Sequence, residues 1–291
     1  RFQSRSRTLL HLWRHSLRFR IIVLLSASGV GMFYISNIET VPVSGRRRFN
    51  VFSPAIEAQT AKALYASTMD QFRGRILPAN HPYTRTVRRV MNRLIRVSGM
   101  EDLNWEVYVI KDDSQKNAFV IPGGKVFVFS GILPIAANDD GLAAVLSHEI
   151  SHTIAHHAAE RMSQMFVVVA AIWAASLLLG VGSGGDGGFG RILMDLVYLR
   201  PQSRKQEAEA DYIGLMMLAQ ACYNPQEAPR LWQRMSAVET VSPPQFLSTH
   251  PAHEKRVESL EKWMPEALDK QAQSDCYQTA DVAEQFRRKF G

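Results

Sequence analysis

The sequence GLAAVLSHEISHTIAHHAAERM, residues 141–162, forms the centre of the fold predicted for this chain. Its apolar side chains recur at helical spacing, which predicts an amphipathic helix with one buried face. A chain of 291 residues with 46% hydrophobic and 21% charged residues can bury that face in a substantial core. The composition excludes collagen-like, coiled-coil and cysteine-framework proteins.

The same helix carries the pattern H-E-x-x-H at His148, Glu149 and His152. Positions four apart share a helix face, so both imidazoles can bind one cation at about 2.0–2.1 Å. Glu149 follows the first ligand and can face a metal-bound water, from which it would accept a proton. The pattern predicts a hydrolytic zinc site, although a surface helix with scattered histidines can have the same spacing.

A third ligand must come from elsewhere, because Ala155 and Ala158 stand where a metzincin needs glycine and histidine. The downstream sequence SRKQEAEADYIG places Glu207 and Asp211 four residues apart on another predicted helix. We therefore predict that Glu207 completes a three-ligand site. Asp211, one turn further on, would orient a ligand imidazole by hydrogen bonding.

Three other polar residues near these motifs are not expected to bind the metal. Glu209 points to a different face of its helix and is expected to be solvated. His156 and His157 are expected to contribute to packing or to the surface, without binding metal.

Secondary-structure signals around the motifs indicate an α+β fold. A helix is predicted from Pro54 to about Arg75, and a second helix ends before Gly99. Two β-rich runs follow, LNWEVYVI and NAFVIPGGKVFVFSG, the second broken by a hairpin turn at 122–124. We expect a small antiparallel sheet, followed by helices from residue 139 onward.

Charge is concentrated at the start of the chain. The first 50 residues hold nine Arg and one acid, for a charge of +8, whereas the remaining 241 residues sum to −1. A nucleic-acid-binding protein would carry its basic excess on a folded face, so we do not expect this class. Residues 1–20 contain six Arg and no acid, which is typical of a mitochondrial targeting segment or a basic juxtamembrane arm.

An uncharged run at 21–38, IIVLLSASGVGMFYISNI, follows this arm. As a helix it would cover about 27 Å, enough for one membrane span. A buried soluble helix is the alternative. The predicted organisation is a basic arm (1–20), a transmembrane helix (21–38), a connector (39–52) and a soluble domain (53–291). The arm is expected to stay on the side of the membrane that the positive-inside rule assigns to basic residues.

A second apolar run occupies residues 165–181 and leads into the glycine-rich stretch 180–190. One metal joining His152 and Glu207 requires both residues on one side of the membrane, which excludes a single crossing between them. The return segment 191–199 includes Asp195 and has only nine residues, too few for a second crossing. We expect 165–190 to dip into or lie on the bilayer; an internal core helix is the alternative.

Taken together, these motifs resemble those of the membrane-associated gluzincin metallopeptidases, which include CAAX prenyl proteases and bacterial heat-shock membrane metalloproteases. The resemblance is most specific to the mitochondrial inner-membrane peptidases of the Oma type, whose activity overlaps with that of the m-AAA protease. The matching segments begin at RRRFNV and end at STHPAHEKRVESL, spanning about 210 residues.

The resemblance implies a mostly helical zincin-like domain and one Zn²⁺ per chain. It implies zinc ligands at His148, His152 and Glu207, Glu149 as general base and Asp211 behind a ligand. His250 matches a family histidine that would stabilise the oxyanion or occupy the open zinc position in a resting enzyme.

The resemblance also implies a substrate site and a cellular setting. Asn117, Ala118 and Phe119 would lie on an edge strand that pairs with an extended peptide. The enzyme would face the intermembrane space, form homo-oligomers and cleave membrane-tethered proteins in stress-responsive quality control, among them a dynamin-like fusion GTPase. The basic arm could contact anionic lipid, worth about 1 kcal/mol per suitably placed Arg.

Cys222 and Cys276 allow at most one disulfide. Such a bridge would close a loop of about 54 residues and contribute ~4 kcal/mol in the chain-entropy model. Two free thiols are the alternative.

Two other functions stay open at this stage. One is a non-catalytic membrane scaffold whose zinc only joins helices; the other is a prenyl-protein protease of the CAAX type. Structural zinc sites are usually closed and rich in cysteine, so three ligands beside a glutamate favour an enzyme. A prenyl-protein protease would need a large multi-span chamber, whereas this sequence has one secure span.

Overall fold

The computed structural model describes residues 11–179, 203–239, 250, 254–274 and 276. The first ten residues of the basic arm, the glycine-rich stretch 180–190 and the return segment 191–199 lie outside these ranges. The chain forms two compact units. One comprises Arg1–Ser53 and Ala158–Leu199, and the other comprises Pro54–His157 and Arg200–Gly291.

The helices and strands of the described residues follow one another in an α+β order, with helices dominating, as expected from the sequence. In chain order they are α1 (Leu17–Ser36), β1 (Ile38–Thr40), β2 (Arg47–Phe49), α2 (Pro54–Gln71), α3 (Pro82–Ile95), β3 (Glu106–Ile110), β4 (Ala118–Ile121), β5 (Lys125–Phe129), α4 (Leu133–Ala136), α5 (Asp139–Ile154), α6 (His157–Leu179), α7 (Arg204–Gln220), α8 (Glu227–Glu239) and α9 (Glu254–Ala272).

Helix α1 is apolar and has no buried side chain. It begins four residues before the predicted span, because the hydroxyl of Ser16 accepts a hydrogen bond from the Phe19 amide at 3.3 Å and caps the helix there. Among the described residues it is the single helix long and apolar enough to cross a membrane, which confirms one candidate span near the N-terminus.

The predicted connector forms an antiparallel β1–β2 hairpin, which belongs to the same unit as α1 and most of α6. Arg46 makes a bidentate ion pair with Glu160 of α6, with distances of 2.9 and 2.6 Å. The hydroxyl of Ser163 accepts a hydrogen bond from the Val51 amide at 3.0 Å. These bonds attach the hairpin to α6 at the base of its apolar segment.

The second unit contains a three-stranded sheet in the order β3-β5-β4. β4 and β5 form the predicted hairpin and pair antiparallel, but β3 pairs parallel with β5. The sheet is therefore mixed: the expected antiparallel pairing holds for β4 with β5, whereas the pairing of β3 is parallel. β3 pairs with the side of β5 that the hairpin leaves open, so β5 is central and β4 lies at the edge.

Helices α2 and α3 lead to this sheet. α2 begins at Pro54 as predicted but ends at Gln71, and the chain then turns through Gly74, whose φ of +78° suits glycine. α3 buries an apolar stripe along one face, with Val87, Val90 and Met91 fully buried.

The largest buried cluster joins the sheet to the helices behind it. Helix α5 lies at its centre and packs against α3, α7, α8 and β4, while α9 packs against α7 and α8. A disulfide links Cys222, just after α7, to Cys276, just after α9. The central position of α5 places the H-E-x-x-H sequence inside the core.

Candidate metal centre

Helix α5 carries the first part of the site. Its N-terminus is fixed by Asn138, whose side-chain oxygen accepts a hydrogen bond from the Gly141 amide at 2.8 Å. Every residue from Gly141 to Thr153 is buried. The i, i+4 spacing then directs the rings of His148 and His152 to one face, with their Nε2 atoms 3.1 Å apart.

Helix α7 supplies the carboxylates from the opposite side. A capping box between Ser203 and Gln206 starts this helix three residues before Glu207. Glu207, Asp211 and Gly214 share one helix face, since they follow at i, i+4 and i+7. A Cβ on Gly214 would lie only 3.1 Å from the His148 backbone nitrogen, so this glycine permits the close approach of α7 to α5.

Four donor atoms converge between these helices. One atom each from His148, His152, Glu207 and His250 lies within 4.8 Å of the others, and all four residues are buried. Glu207 Oε atoms lie 3.5 Å from both His148 Nε2 and His152 Nε2. A tetrahedron with zinc about 2.0–2.1 Å from each corner has edges of about 3.3 Å, so this nitrogen and oxygen donor set fits zinc.

His250 occupies the fourth corner of the group. Its Nδ1 lies 3.0 Å from Glu207 Oε1 and 3.2 Å from His148 Nε2. Its Nε2 lies 3.3 Å from Glu149 Oε1. The ring therefore lies between the second residue of the H-E-x-x-H sequence and the three other donors.

Asp211 lies behind His148. Its Oδ1 is 3.1 Å from His148 Nδ1, the ring nitrogen that faces away from the donor group. Arg256 of α9 holds Asp211 with two hydrogen bonds of 2.7 Å and reaches Glu207 Oε2 at 2.9 Å. The guanidinium also stacks 3.5 Å from the ring centre of Trp232. Two buried carboxylates thus share one buried cation.

The pKa values of the donor side chains are shifted because these groups are buried close together. Burial alone would lower the pKa of His148, but hydrogen bonds to Asp211 and Glu207 raise it to about 9. Burial and the neighbouring His148 hold the pKa of His152 well below its usual value. Burial opposes ionisation of Glu207, but the charge of His250 and the bond to His148 hold its pKa well below the ordinary range. A metal would replace the proton on His148, since zinc binds deprotonated ligands.

The structure places the predicted peptide-binding residues at the sheet edge. Ala118 and Phe119 belong to β4, and Asn117 immediately precedes it. The Ala118 side chain is buried in the cluster around α5, whereas Phe119 packs with the aromatic residues on the other side of the sheet. One side of this strand carries no neighbouring strand within the described part of the sheet.

Two functional features were not found from the sequence. Glu209 is buried and lies 2.8 Å from His157, so the expectation that it is solvated was wrong. Its face of α7 is covered by the turn between α5 and α6, a tertiary contact that helical spacing does not reveal. Arg256 was missed because its partners lie 45 and 49 positions away; the HPAHEKR sequence was the available signal.

Comparisons with known proteins agree with this geometry. The model of peptidase family M48 matches residues 82–264. The mitochondrial metalloendopeptidase OMA1 of Schizosaccharomyces pombe is 45% identical over 262 residues, covering 89% of this chain and 76% of that protein. The Saccharomyces cerevisiae OMA1 is 37% identical, covering 92% and 81%. The Bos taurus OMA1 is 31% identical, covering 91% of this chain and 54% of its own length.

Proposed function

This chain belongs to peptidase family M48, and we propose that it is a membrane-anchored endopeptidase of the mitochondrial inner membrane that cleaves membrane-tethered proteins. The family resemblance predicted from the motifs is confirmed, and with it a zinc metalloendopeptidase. One observation carries the proposal: the buried group of His148, His152, Glu207 and His250, with Glu149 beside it.

In this proposal His148, His152 and Glu207 are the protein ligands of one zinc ion. When bound, zinc supplies Lewis-acid polarisation of the scissile carbonyl and lowers the pKa of a coordinated water toward about 7. Asp211 Oδ1 lies 3.1 Å from His148 Nδ1 and would accept a hydrogen bond from that nitrogen, which would leave Nε2 without a proton and available to bind the metal. Arg256 balances the charge of Asp211 and Glu207, which lowers the cost of burying both.

Glu149 is the proposed general base. It follows the first ligand on α5 and its Oε1 approaches the position of His250 Nε2. Glu149 would accept a proton from the attacking water and pass it to the departing amine of the cleaved peptide. His250 would hold the fourth position in the resting arrangement. Its departure would admit water and substrate, after which it could donate a hydrogen bond to the oxyanion.

Substrate would bind along β4. An extended peptide could add a strand to this edge through main-chain hydrogen bonds, with Asn117, Ala118 and Phe119 nearest to the added strand. Such binding selects flexible segments over folded domains. It therefore suits a protease that acts on exposed, unstructured parts of membrane-tethered proteins, including the proposed dynamin-like fusion GTPase.

Helix α1 would span the inner membrane, with the basic arm on the matrix side and near anionic lipid. The catalytic domain would then face the intermembrane space. The apolar segment of α6 has the exposed side chains Phe166, Val167, Val168 and Trp173, which supports contact of this part of α6 with the same bilayer. We further propose that the enzyme forms homo-oligomers and acts in stress-responsive quality control.

Metal analysis and peptide cleavage test the enzymatic proposal directly. The purified full chain should contain one zinc and cleave a fluorescent casein probe, and a chelator should abolish cleavage. Glu149→Gln should keep the zinc and lose cleavage by about 10²–10⁴-fold. The exposed Glu101→Gln should behave as wild type in both measurements.

His250→Ala separates the two roles proposed for this histidine. Cleavage should increase if His250 mainly closes the fourth position, and decrease if it mainly stabilises the oxyanion. A zinc-loaded chain in which neither wild type nor His250→Ala cleaves any probe would overturn the protease proposal and support a scaffold. Protease mapping of mitoplasts that places residues 148 and 207 on opposite membrane faces would overturn the topology.

A further inference from the structure

The buried polar residues next to His152 form a second hydrogen-bonded chain that the proposed mechanism does not use. His152 Nδ1 lies 2.6 Å from His157 Nδ1. His157 Nε2 lies 2.8 Å from Glu209 Oε2. The side chain of His157 is completely buried and that of Glu209 is 3% exposed, so this chain lies inside the protein.

The backbone brings these residues together through a break between two helices. α5 ends at Ile154, and His156 adopts a φ of +46°, a left-handed conformation that is uncommon for a residue with a side chain. The helix breaks at this residue, and His157 begins α6 with its Nδ1 2.6 Å from His152 Nδ1. In a continuous helix residues five apart do not face each other in this way.

Metal binding would decide where the ring protons lie in these two contacts. His152 presents Nε2 to the donor group, 3.1 Å from His148 Nε2 and 3.5 Å from Glu207, so a metal on Nε2 would leave the hydrogen on Nδ1. His157 Nδ1 would then accept that hydrogen, and its Nε2 would donate to the carboxylate of Glu209. With two neutral imidazoles and an ionised carboxylate, both contacts have one donor and one acceptor.

We propose that Glu209 and His157 are positioning residues that hold the metal ligand His152 in its binding tautomer and orientation. The inference rests on the proposed zinc site. Each ligand imidazole would then have a carboxylate behind it: Asp211 acts directly on His148, and Glu209 acts on His152 through His157. Such partners raise the basicity of a ligand and typically change metal affinity by about 10–100-fold.

A nearby pair provides the matched control. Glu57 and His156 form another carboxylate–histidine contact of 2.7 Å in the same unit, one residue before His157. Glu57 is buried like Glu209, but neither Glu57 nor His156 belongs to the donor group. Removing this carboxylate tests the effect of losing a buried acid near the turn, without acting on His152.

The experiment measures zinc affinity of the purified full chain by competition with a chromophoric chelator, and the visible spectrum of the cobalt-substituted protein. Glu209→Ala should weaken zinc binding by about 10–100-fold and shift the cobalt bands, as should His157→Ala. Glu209→Gln keeps an acceptor for His157 but loses the charge, so it should fall between Glu209→Ala and wild type. Glu57→Ala should match wild type in both measurements.

The result that overturns the proposal is a Glu209→Ala chain whose zinc affinity and cobalt spectrum equal those of Glu57→Ala. If Glu209→Ala does not fold, the comparison of Glu209→Gln with Glu57→Gln decides in the same way. Failure of the underlying protease proposal would look different, because wild type itself would then bind no stoichiometric zinc or cleave no probe.

Discussion

Helices α1 and α5 differ in how the polarity of their side chains relates to burial. α1 is apolar, yet none of its side chains is buried. α5 carries His148, Glu149 and His152, yet every residue from Gly141 to Thr153 is buried. Apolar surface outside a core is stabilised by contact with lipid or with another protein, and polar groups inside a core need partners or a metal. Each helix therefore requires a different environment.

The largest expected effect comes from breaking the buried charge group behind α5. Arg256→Met leaves Asp211 and Glu207 buried without their shared cation, which should lower the free energy of unfolding by about 3–5 kcal/mol. Urea unfolding in the presence of a chelator measures this loss. Arg89→Met removes the exposed pair with Asp139 and should cost about 1 kcal/mol or less. Equal losses in the two variants would contradict the burial argument.

A charged residue introduced into α1 tests whether this apolar helix is inserted in a membrane. Leu25→Arg places a cation near the middle of this helix, where insertion should become less favourable by about 2.5–3.5 kcal/mol. The fraction of chain that resists carbonate extraction from membranes should fall accordingly. Leu17→Arg lies at the helix end, where the side chain can reach the interface, and should have little effect. Unchanged extraction of Leu25→Arg would argue against a spanning α1.

Two glycines give a finer contrast between the helices, with smaller effects. Gly214→Ala puts a methyl group 3.1 Å from the His148 backbone, so α7 must move away from α5, at about 1–3 kcal/mol. Thermal unfolding temperature and zinc affinity should both decrease. Gly31→Ala in α1 meets no atom within 4 Å and should be tolerated. Equal tolerance at the two positions would show that α7 and α5 pack more loosely than described.

The smallest effect concerns a half-exposed carboxylate on the sheet. The hydrogen bond from Lys125, with that from Tyr108, lowers the pKa of Glu106. A carboxylate with a lowered folded-state pKa stabilises the protein above its unfolded pKa of about 4.3, and this contribution disappears as pH falls through the folded pKa. Glu106→Gln should therefore reduce the melting temperature slightly at pH 7, and the difference should vanish in acid. A difference that persists below about pH 3 would contradict this assignment.

Sequence reasoning worked best where one helix holds all the information. The spacing of His148 and His152, and of Glu207 and Asp211, is a property of single helices, and both pairs share a face as predicted. The apolar run of α1 and the hairpin turn at 122–124 are also local signals. Such predictions need only helix or turn geometry, which a short segment determines without the rest of the chain.

The errors arose where two segments meet. Glu209 does point away from Glu207, but the turn at His156 covers that face, and its left-handed φ is not readable from a histidine. The parallel pairing of β3 with β5 depends on which side of the hairpin β3 joins. Arg256 acquires its role only because α9 packs against α7.

The amino-acid sequence was enough to establish the donor types, their spacing within each helix, the hydrophobic α1 and the family. Tertiary packing was needed to bring His250 into the donor group, to place Arg256 between two carboxylates and to connect Glu209 with His152 through His157. The physical reason is that periodicity fixes directions around one helix axis, whereas burial and pairing depend on which distant surface covers each face.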